Sequence, residues 1–504
     1  MILRAADYRK NGTFHADVVV VGTGAGGAVV GAELAEAGRS VIFVEEGSHW
    51  ETPSFNPYLT ESVPRLYRDA GSTVITGNPM IPYVEGRAVG GSTVINGGMA
   101  YRTPERVLEE WQKRTGLSEL GPKALEPLFE RVEQKVRVGP QLDESVGADS
   151  KLMVEGARKM GWRVSVNKRN QHACVGANNC GFGCPTGAKQ STLVSYLPAA
   201  FAAGATCLTE VRIEKLLLEG GRSVGVAGYA VDPATRGRSH PVEVRARAVV
   251  IACGAVQTPY LLGRHRAGRP SGQLGKNFLC HPNAKVLAVY PFDVQAWKGV
   301  SQYAQIREFS DEGILMAENF VSPGALGAHI PFHGADAWEL MSRYNQMVLS
   351  GVLVEDSTTG SVSRSRLGMP DAHYDVTDHD HRRFLRGVKL LAEMHFALGA
   401  EKVLLPFTSF PVATDVDQLR ALDERRVPRR ALELFTVHLM GTARMGSTAS
   451  SSVVDASGEL WDVPGCYVAD ASLFPTAIGV NPQITIMALA TRVAWRLELA
   501  KKAA

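Results

Sequence analysis

The stretch Val18-Val-Val-Val-Gly-Thr-Gly-Ala-Gly-Gly-Ala-Val-Val-Gly31 joins an apolar run to a glycine-rich turn and a helix of small residues. Gly22, Gly24 and Gly27 fit the spacing G-x-G-x-x-G: one glycine for a tight turn, one so that backbone can approach a pyrophosphate, one for close helix–strand packing. The pyrophosphate would lie at the helix N-terminus, where unpaired N–H groups and the helix dipole favour negative charge. Ala28 to Ala37 reads as that helix, and Ser40-Val-Ile-Phe-Val44 as a second buried strand ending at Glu45. Glu45 stands roughly twenty residues beyond the glycines, where an acid accepts a hydrogen bond from an adenosine-ribose 2′-hydroxyl and repels a 2′-phosphate. Strand, turn, helix, strand and acid in register predict an α/β dinucleotide-binding domain and leave FAD and NAD both open.

Composition narrows the partner. The 504 residues are 45% hydrophobic and 21% charged, ordinary for a globular enzyme of two or three domains. Basic residues number 54 and acidic residues 51, so no charge bias points to nucleic acid or an anionic membrane surface, and a small molecule is expected. Met1 to Ala16 is polar and lacks the apolar core of a signal peptide, which predicts a cytoplasmic location. No membrane span is expected, because the apolar stretch Ile484 to Leu499 is interrupted by Arg492 and Arg496; it predicts a packed helix.

Between these ends, Gly47 to Pro82 shows no sustained period and reads as an extended loop over the cofactor. Residues 104 to 137 carry helical spacing through Val107, Leu108, Trp111, Leu125, Leu128, Phe129 and Val132. Thr206 to Val211, Val224 to Val231 and Val242 to Ala252 read as strands, the last entering the turn Cys253-Gly254-Ala255 and a helix through Leu262. From Cys280 to Pro428 the period weakens and aromatic residues scatter: Phe292, Trp297, Tyr303, Phe320, Phe332, Trp338 and Tyr344 read as core rather than substrate contacts. Asp378 to Gly399 predicts a helix whose first-turn histidines and arginines form a solvated face.

Two further regions carry chemistry. In Gly86-Arg-Ala-Val-Gly-Gly-Ser-Thr-Val-Ile-Asn-Gly-Gly98 the glycines imply backbone running against a flat or bulky ligand. Near the C-terminus, Phe435-Thr-Val-His438-Leu-Met-Gly-Thr-Ala-Arg-Met-Gly446 sets a histidine beside a glycine-rich turn, and Cys466-Tyr-Val-Ala-Asp470 reads as a strand ending in an acid. Ala471 to Val480 then leads to Asn481-Pro482. A general base must take a proton from a reacting group, and an imidazole near neutrality suits that task. His438 is the natural candidate.

In this order and over nearly the whole chain, Gly22-x-Gly24-x-x-Gly27, Glu45, Arg87-x-x-Gly90-Gly91-Ser92 through Asn96 and Gly98, and the two C-terminal motifs resemble the glucose-methanol-choline (GMC) family of flavoprotein oxidoreductases. The resemblance implies FAD and a mixed α/β (α+β overall) architecture. Residues 1–275 would form a Rossmann-like FAD-binding domain, 276–430 an inserted substrate domain built on an antiparallel sheet, and 431–504 a return to the FAD domain. It implies oxidation of an alcohol to an aldehyde or ketone, hydride passing to flavin N5 and electrons to oxygen or an external acceptor. His438 matches the active-site histidine and Asn481 its partner, a second histidine in other members. An amide cannot titrate, so His438 would be the single base and Asn481 would position the hydroxyl. Val211, Gly254, Ala255, Asp470, Ala471 and Pro482 would contact the FAD. Some members attach FAD through a histidine just before the asparagine of the glycine loop; Ile95 stands there, so non-covalent FAD is expected. An NAD-linked Rossmann dehydrogenase gives no role to residues 86–98 or 438–481, and a catalytically silent flavin-binding protein gives none to His438 with Asn481.

Segment 172–191 sets Cys174, Cys180 and Cys184 in the spacing C-x5-C-x3-C-Pro. Disulfides are disfavoured in the cytoplasm, and zinc takes four ligands where only His172 is near as a fourth. Two readings stay open: a tight glycine loop with reduced thiols, or thiolate ligands of a [3Fe-4S] cluster, as the resemblance of this segment to that of FAD-dependent sugar dehydrogenases implies.

Overall fold

Val18 to Val21 pair in parallel register with Val41 to Val44, since an apolar run with no solvated face is stable only inside a sheet covered on both sides. The computed structural model describes residues 1–8, 12–319, 321–327 and 329–502; Phe320 lies outside the described residues. The sheet runs in the order Ile2–Leu3, Thr206–Leu208, Val41–Val44, Thr13–Val21, Arg238–Ile251, Arg222–Val231, Val211–Glu219, with Cys466–Val468 also paired to Arg238–Ile251. The first five of these strands are mutually parallel, and the last three form an antiparallel meander. Val211 therefore opens a long strand of its own rather than closing the preceding one.

Helix Gly27–Glu36 covers this sheet and packs against the C-terminal helix Gln483–Lys502 and the helix Tyr196–Ala202. No described helix is long and apolar enough to cross a membrane. Arg492 is buried within the C-terminal helix, where its guanidinium meets Glu119 at 3.0 Å.

A second sheet is antiparallel and runs Val412–Ala413, Lys402–Leu404, Asn283–Val289, Met347–Val354, Ile314–Asn319, Ala304–Ile306, Val164–Val166. Its edge strand, Val164–Val166, comes from the 1–275 segment. Helix Asp378–Ala397 backs the sheet through Phe384, Leu385, Val388, Leu391 and Ala392. The first turn of that helix is not wholly solvated as its sequence suggests. His379 and Arg382 are exposed, but Asp380 and His381 are buried, because Asp380 accepts from Ser357 and pairs with Arg383. A third, smaller sheet orders Lys276–Phe278, Gly360–Arg364, Pro370–His373, Thr73–Thr76 and Ile81–Tyr83.

Residues 47–82 are also more regular than expected, with helix Leu59–Leu66 and the strands Thr73–Thr76 and Ile81–Tyr83. These elements are too short to carry a period, and Pro64 inside the helix masks it; tertiary partners hold them. Of the scattered aromatics, Trp338 is 78% exposed and Phe292 and Trp297 are exposed as well, so the core reading fails for these three.

One contact fixes how the C-terminal segment joins the first sheet. A Cβ added at Gly26 would stand inside the van der Waals radius of the Ala469 carbonyl oxygen, so turn and strand end meet backbone to backbone. Gly26→Ala should cost at least about 1–3 kcal/mol through overpacking, seen as a lower thermal midpoint. An unchanged midpoint would show that this packing carries no weight.

Candidate active site

A cavity of about 840 Å³ lies between the C-terminal ends of the parallel strands and the face of the second sheet, where ligands bind in open α/β sheets. Gly22, Gly24, Glu45, Gly91, Ser92, Asn96, Gly98, Val211, Gly254, Ala255, Asp470, Ala471, Asn481, Pro482 and His438 all border it. Gly27, Arg87 and Gly90 do not. Gly27 faces the Gly22 carbonyl within the turn. The Gly90 N–H donates to Thr23 Oγ1 at 2.9 Å and its carbonyl accepts from Thr93 and Thr192, while the Arg87 N–H is spent on Leu66, so these two hold the loop from behind.

The turn can hold a pyrophosphate. A Cβ built on Gly24 would meet nothing within 4 Å, and this open space sits just before the N-terminus of Gly27–Glu36. Glu45 borders the same space, yet its carboxylate already accepts from Thr23 N at 3.0 Å, Thr23 Oγ1 at 2.7 Å and Gly47 N at 2.9 Å. Burial pushes its pKa up, and these donors oppose that shift. Glu45 thus clamps the glycine turn. Asp470 does the same for the opposite wall: it accepts from Gly254 N at 2.9 Å, Thr258 Oγ1 at 2.5 Å and Ser472 N at 2.8 Å.

The loop Gly91–Gly98 is held by groups the sequence reading missed. Asn96 donates to Gln483 Oε1, and Gly98 N donates to Asn96 Oδ1 at 3.1 Å. Buried Lys189 donates to the carbonyls of Val94, Asn96 and Cys180, each at 2.7 Å, and burial pushes its pKa down to about 8. Ile95 is buried and borders the cavity.

His438 follows the strand Leu434–Phe435, which pairs with Asn283 and Ala284; Asn481 precedes the last helix. The cavity brings them together: Asn481 Nδ2 lies 3.2 Å from His438 Nε2. As an amide nitrogen only donates, Nε2 accepts here and the imidazole proton resides on Nδ1. Burial, then the neighbouring His281 and Lys285, push the His438 pKa down to about 3, so the ring is neutral at physiological pH. His281 stands edge-on to it, ring centroids 5.8 Å apart. Its Nε2 accepts from Ile478 N at 3.3 Å and Gly479 N at 3.2 Å, which fixes the segment leading to Asn481; burial keeps it neutral, with a pKa of about 4. A histidine three residues past a strand-like Lys276–Phe278 offers no motif, so sequence alone does not single it out.

The expectation of a cluster on Cys174, Cys180 and Cys184 finds no support. Among the described residues no three His, Cys, Asp or Glu side chains converge to hold a metal ion. Asn178 ties the loop to the Ala296 carbonyl and Asn179 closes the turn on Gly183. Cys180 Sγ then accepts from Arg169 at 3.6 Å, whereas Cys184 Sγ accepts from Lys189 N at 3.4 Å. All three are free thiols.

Comparison with known proteins agrees with this architecture. Residues 63–283 and 356–490 match the N- and C-terminal models described as GMC oxidoreductase. An uncharacterized GMC-type oxidoreductase of Mycobacterium tuberculosis is 37% identical over 484 residues, 95% of this chain and 75% of that protein. The long-chain-alcohol oxidase FAO1 of Arabidopsis thaliana is 27% identical over 538 residues, 99% of this chain and 69% of that protein. Among solved structures, pyridoxine 4-oxidase from Mesorbium loti superposes with a TM-score of 0.73 at 20% identity, covering 96% of this chain and 99% of that one.

The open space at Gly24 gives a direct test of the cofactor cradle. Gly24→Ala should leave the thermal midpoint of the apoprotein unchanged while weakening FAD roughly tenfold or more, measured by flavin fluorescence titration. Unchanged affinity would place the pyrophosphate elsewhere.

Proposed function

The chain belongs to the GMC oxidoreductase family, and on that ground we propose that it oxidises an alcohol to an aldehyde or ketone using non-covalently bound FAD. The observation that carries this reading is the 3.2 Å contact between His438 and Asn481 in the wall of the cavity that begins at the glycine turn. Gly22, Gly24, Gly91 to Gly98, Gly254, Ala255, Asp470, Ala471 and Pro482 would hold the cofactor. FAD bound there would supply the acceptor for the hydride and a route for the electrons to oxygen or an external acceptor.

The protein's own part is binding and proton transfer. His438 is neutral in its buried position, so once the substrate hydroxyl takes the place of the Asn481 amide at Nε2 that nitrogen accepts the proton leaving the hydroxyl. Asn481 Nδ2 donates to the same hydroxyl oxygen and aims it at Nε2. Thr436 Oγ1 accepts from His438 N at 3.3 Å and is itself bonded to the Cys280 carbonyl, which keeps the base at the strand end. The His281 contacts hold the Ile478–Gly479 backbone, so base and amide keep their separation.

His438→Ala should slow flavin reduction by alcohol roughly a hundred- to ten-thousand-fold with FAD retained, measured by anaerobic stopped flow. Asn481→Ala should cost less, since it removes hydrogen bonding and not the base; a mutant His438→Ala at the wild-type rate would exclude the assignment. Because a pKa of about 3 leaves the His438 ring neutral and its Nε2 unprotonated throughout, the rate of flavin reduction should hold as pH falls from about 8 to about 5. A loss with a midpoint near the ordinary histidine value of about 6.5 would contradict this protonation state. Acid precipitation should release all the flavin; colour left in the pellet would contradict the consequence drawn from Ile95.

A further inference from the structure

The roof of the cavity has a pattern that alcohol oxidation alone does not require. In the second sheet Lys285 pairs with Gly351, Gly351 with Ala317, and Ala317 with Gln305, so one row across four strands runs long, small, small, long. All four border the cavity. The Lys285 ammonium and the Asn283 and Asn319 amides converge on the space that the missing side chain of Gly351 leaves at the cavity wall. A Cβ built on Gly351 would lie 3.1 Å from Lys285 Nζ, 3.1 Å from Asn319 Nδ2 and 2.7 Å from Asn283 Oδ1.

Among the described residues Lys285 meets no counter-charge. Its hydrogen-bond partner is Asn319 Oδ1 at 3.0 Å, an uncharged acceptor also used by Gln302 at 3.3 Å. The carboxylates that border the cavity are engaged elsewhere: Glu45 with Thr23 and Gly47, Glu46 and Glu85 with Arg68, Asp470 with Gly254 and Thr258. Among the described residues Asn283 Oδ1 beside it has no hydrogen-bond partner. Desolvation pushes the lysine pKa down to about 8, so at neutral pH it remains a cation that is costly to bury without an anion.

We propose that Lys285 binds an anionic group of the substrate, which makes the substrate class an alcohol that also carries a carboxylate. The proposal rests on the reading of this cavity as the site of alcohol oxidation. The carboxylate lies in the cavity against this cluster and accepts from Lys285 Nζ. Its hydroxyl end is then left to His438 and Asn481 in the same cavity. Leu349 and Leu353, on either side of Gly351 on the cavity face, suit the methylene chain between the two ends.

The test uses the FAD-loaded protein, a series of ω-hydroxy carboxylates of increasing length and their methyl esters, which keep the hydroxyl and remove the charge. At the best length the acid should exceed its ester roughly ten- to a hundredfold in kcat/KM for flavin reduction, the range of a charge-assisted hydrogen bond out of water. The ratio should collapse to near one in Lys285→Met and survive in Lys285→Arg, with flavin content reporting that each variant folds. A second readout needs no turnover: straight-chain alkanoates should perturb the visible flavin spectrum of the wild type, and Lys285→Met should weaken their binding by a similar factor. Acids and esters of equal efficiency in the wild type, or alkanoate binding unmoved in Lys285→Met, would overturn the proposal. If no alcohol of any kind reduced the flavin while alkanoates bound through Lys285, the oxidation reading would fail and the anion site would stand.

Discussion

Backbone meets backbone where the first glycine turn touches two distant segments, and the rest of the site depends on that contact. Gly22 packs on the Ala252 carbonyl and Gly26 on that of Ala469, with no side chain between. Segments more than 200 residues apart in sequence are thereby brought to the C-terminal ends of neighbouring parallel strands at the centre of the sheet. Two buried acids lock the junction, Glu45 on the turn and Asp470 on the Gly254 loop. Each is stable in the interior because N–H and O–H donors converge on it. The C-terminal chain leaves Asp470 along the cavity wall, and this carries Asn481 to His438.

The chemistry of the cavity divides along the same line. Its floor is backbone and small residues, suited to a large planar cofactor. Its roof is the second sheet, where side chains alternate between the cavity and the helix Asp378–Ala397. Ala284, Val286 and Ala288 face that helix and are fully buried, while Asn283 and Lys285 face the cavity. The roof thus sets polar Asn283 and Lys285 among apolar Leu349 and Leu353 over the neutral His438, and under the proposed reading proton transfer and substrate recognition fall to different residues.

Much of this was legible in the sequence. Val18–Gly31, Ser40–Glu45 and Asn481-Pro482 carry local patterns whose physical cause is local: an apolar run, a turn that needs glycine, a helix start. The parallel sheet and the border of the cavity follow from them. What was not legible arises from long-range packing. Thr73–Thr76 becomes a strand between its neighbour Ile81–Tyr83 and Pro370–His373, the latter nearly 300 residues later. Glu45 reads as a ribose ligand from its spacing, and the fold adds a second role the spacing does not reveal, since Thr23 and Gly47 donate to its carboxylate. Arg87 and Gly90 belong to the glycine loop by motif and yet support it from outside the cavity. The cysteine spacing suggested a shared ligand, whereas Asn178, Asn179, Arg169 and Lys189 draw the loop and its thiols to separate partners. Lys285 sits in an alternating pattern, Asn283-Ala-Lys285-Val, that marks a strand face without saying what it faces.

The central claim is that one cavity holds FAD along the glycine turn and delivers a hydroxyl to His438 and Asn481. Its most direct measurement is an anaerobic titration of the FAD-loaded protein with a panel of neutral and anionic alcohols, following the visible flavin band. The account predicts that at least one alcohol bleaches the band fully and yields one equivalent of aldehyde or ketone per flavin. A band that no alcohol bleaches, although dithionite reduces it, would contradict the account.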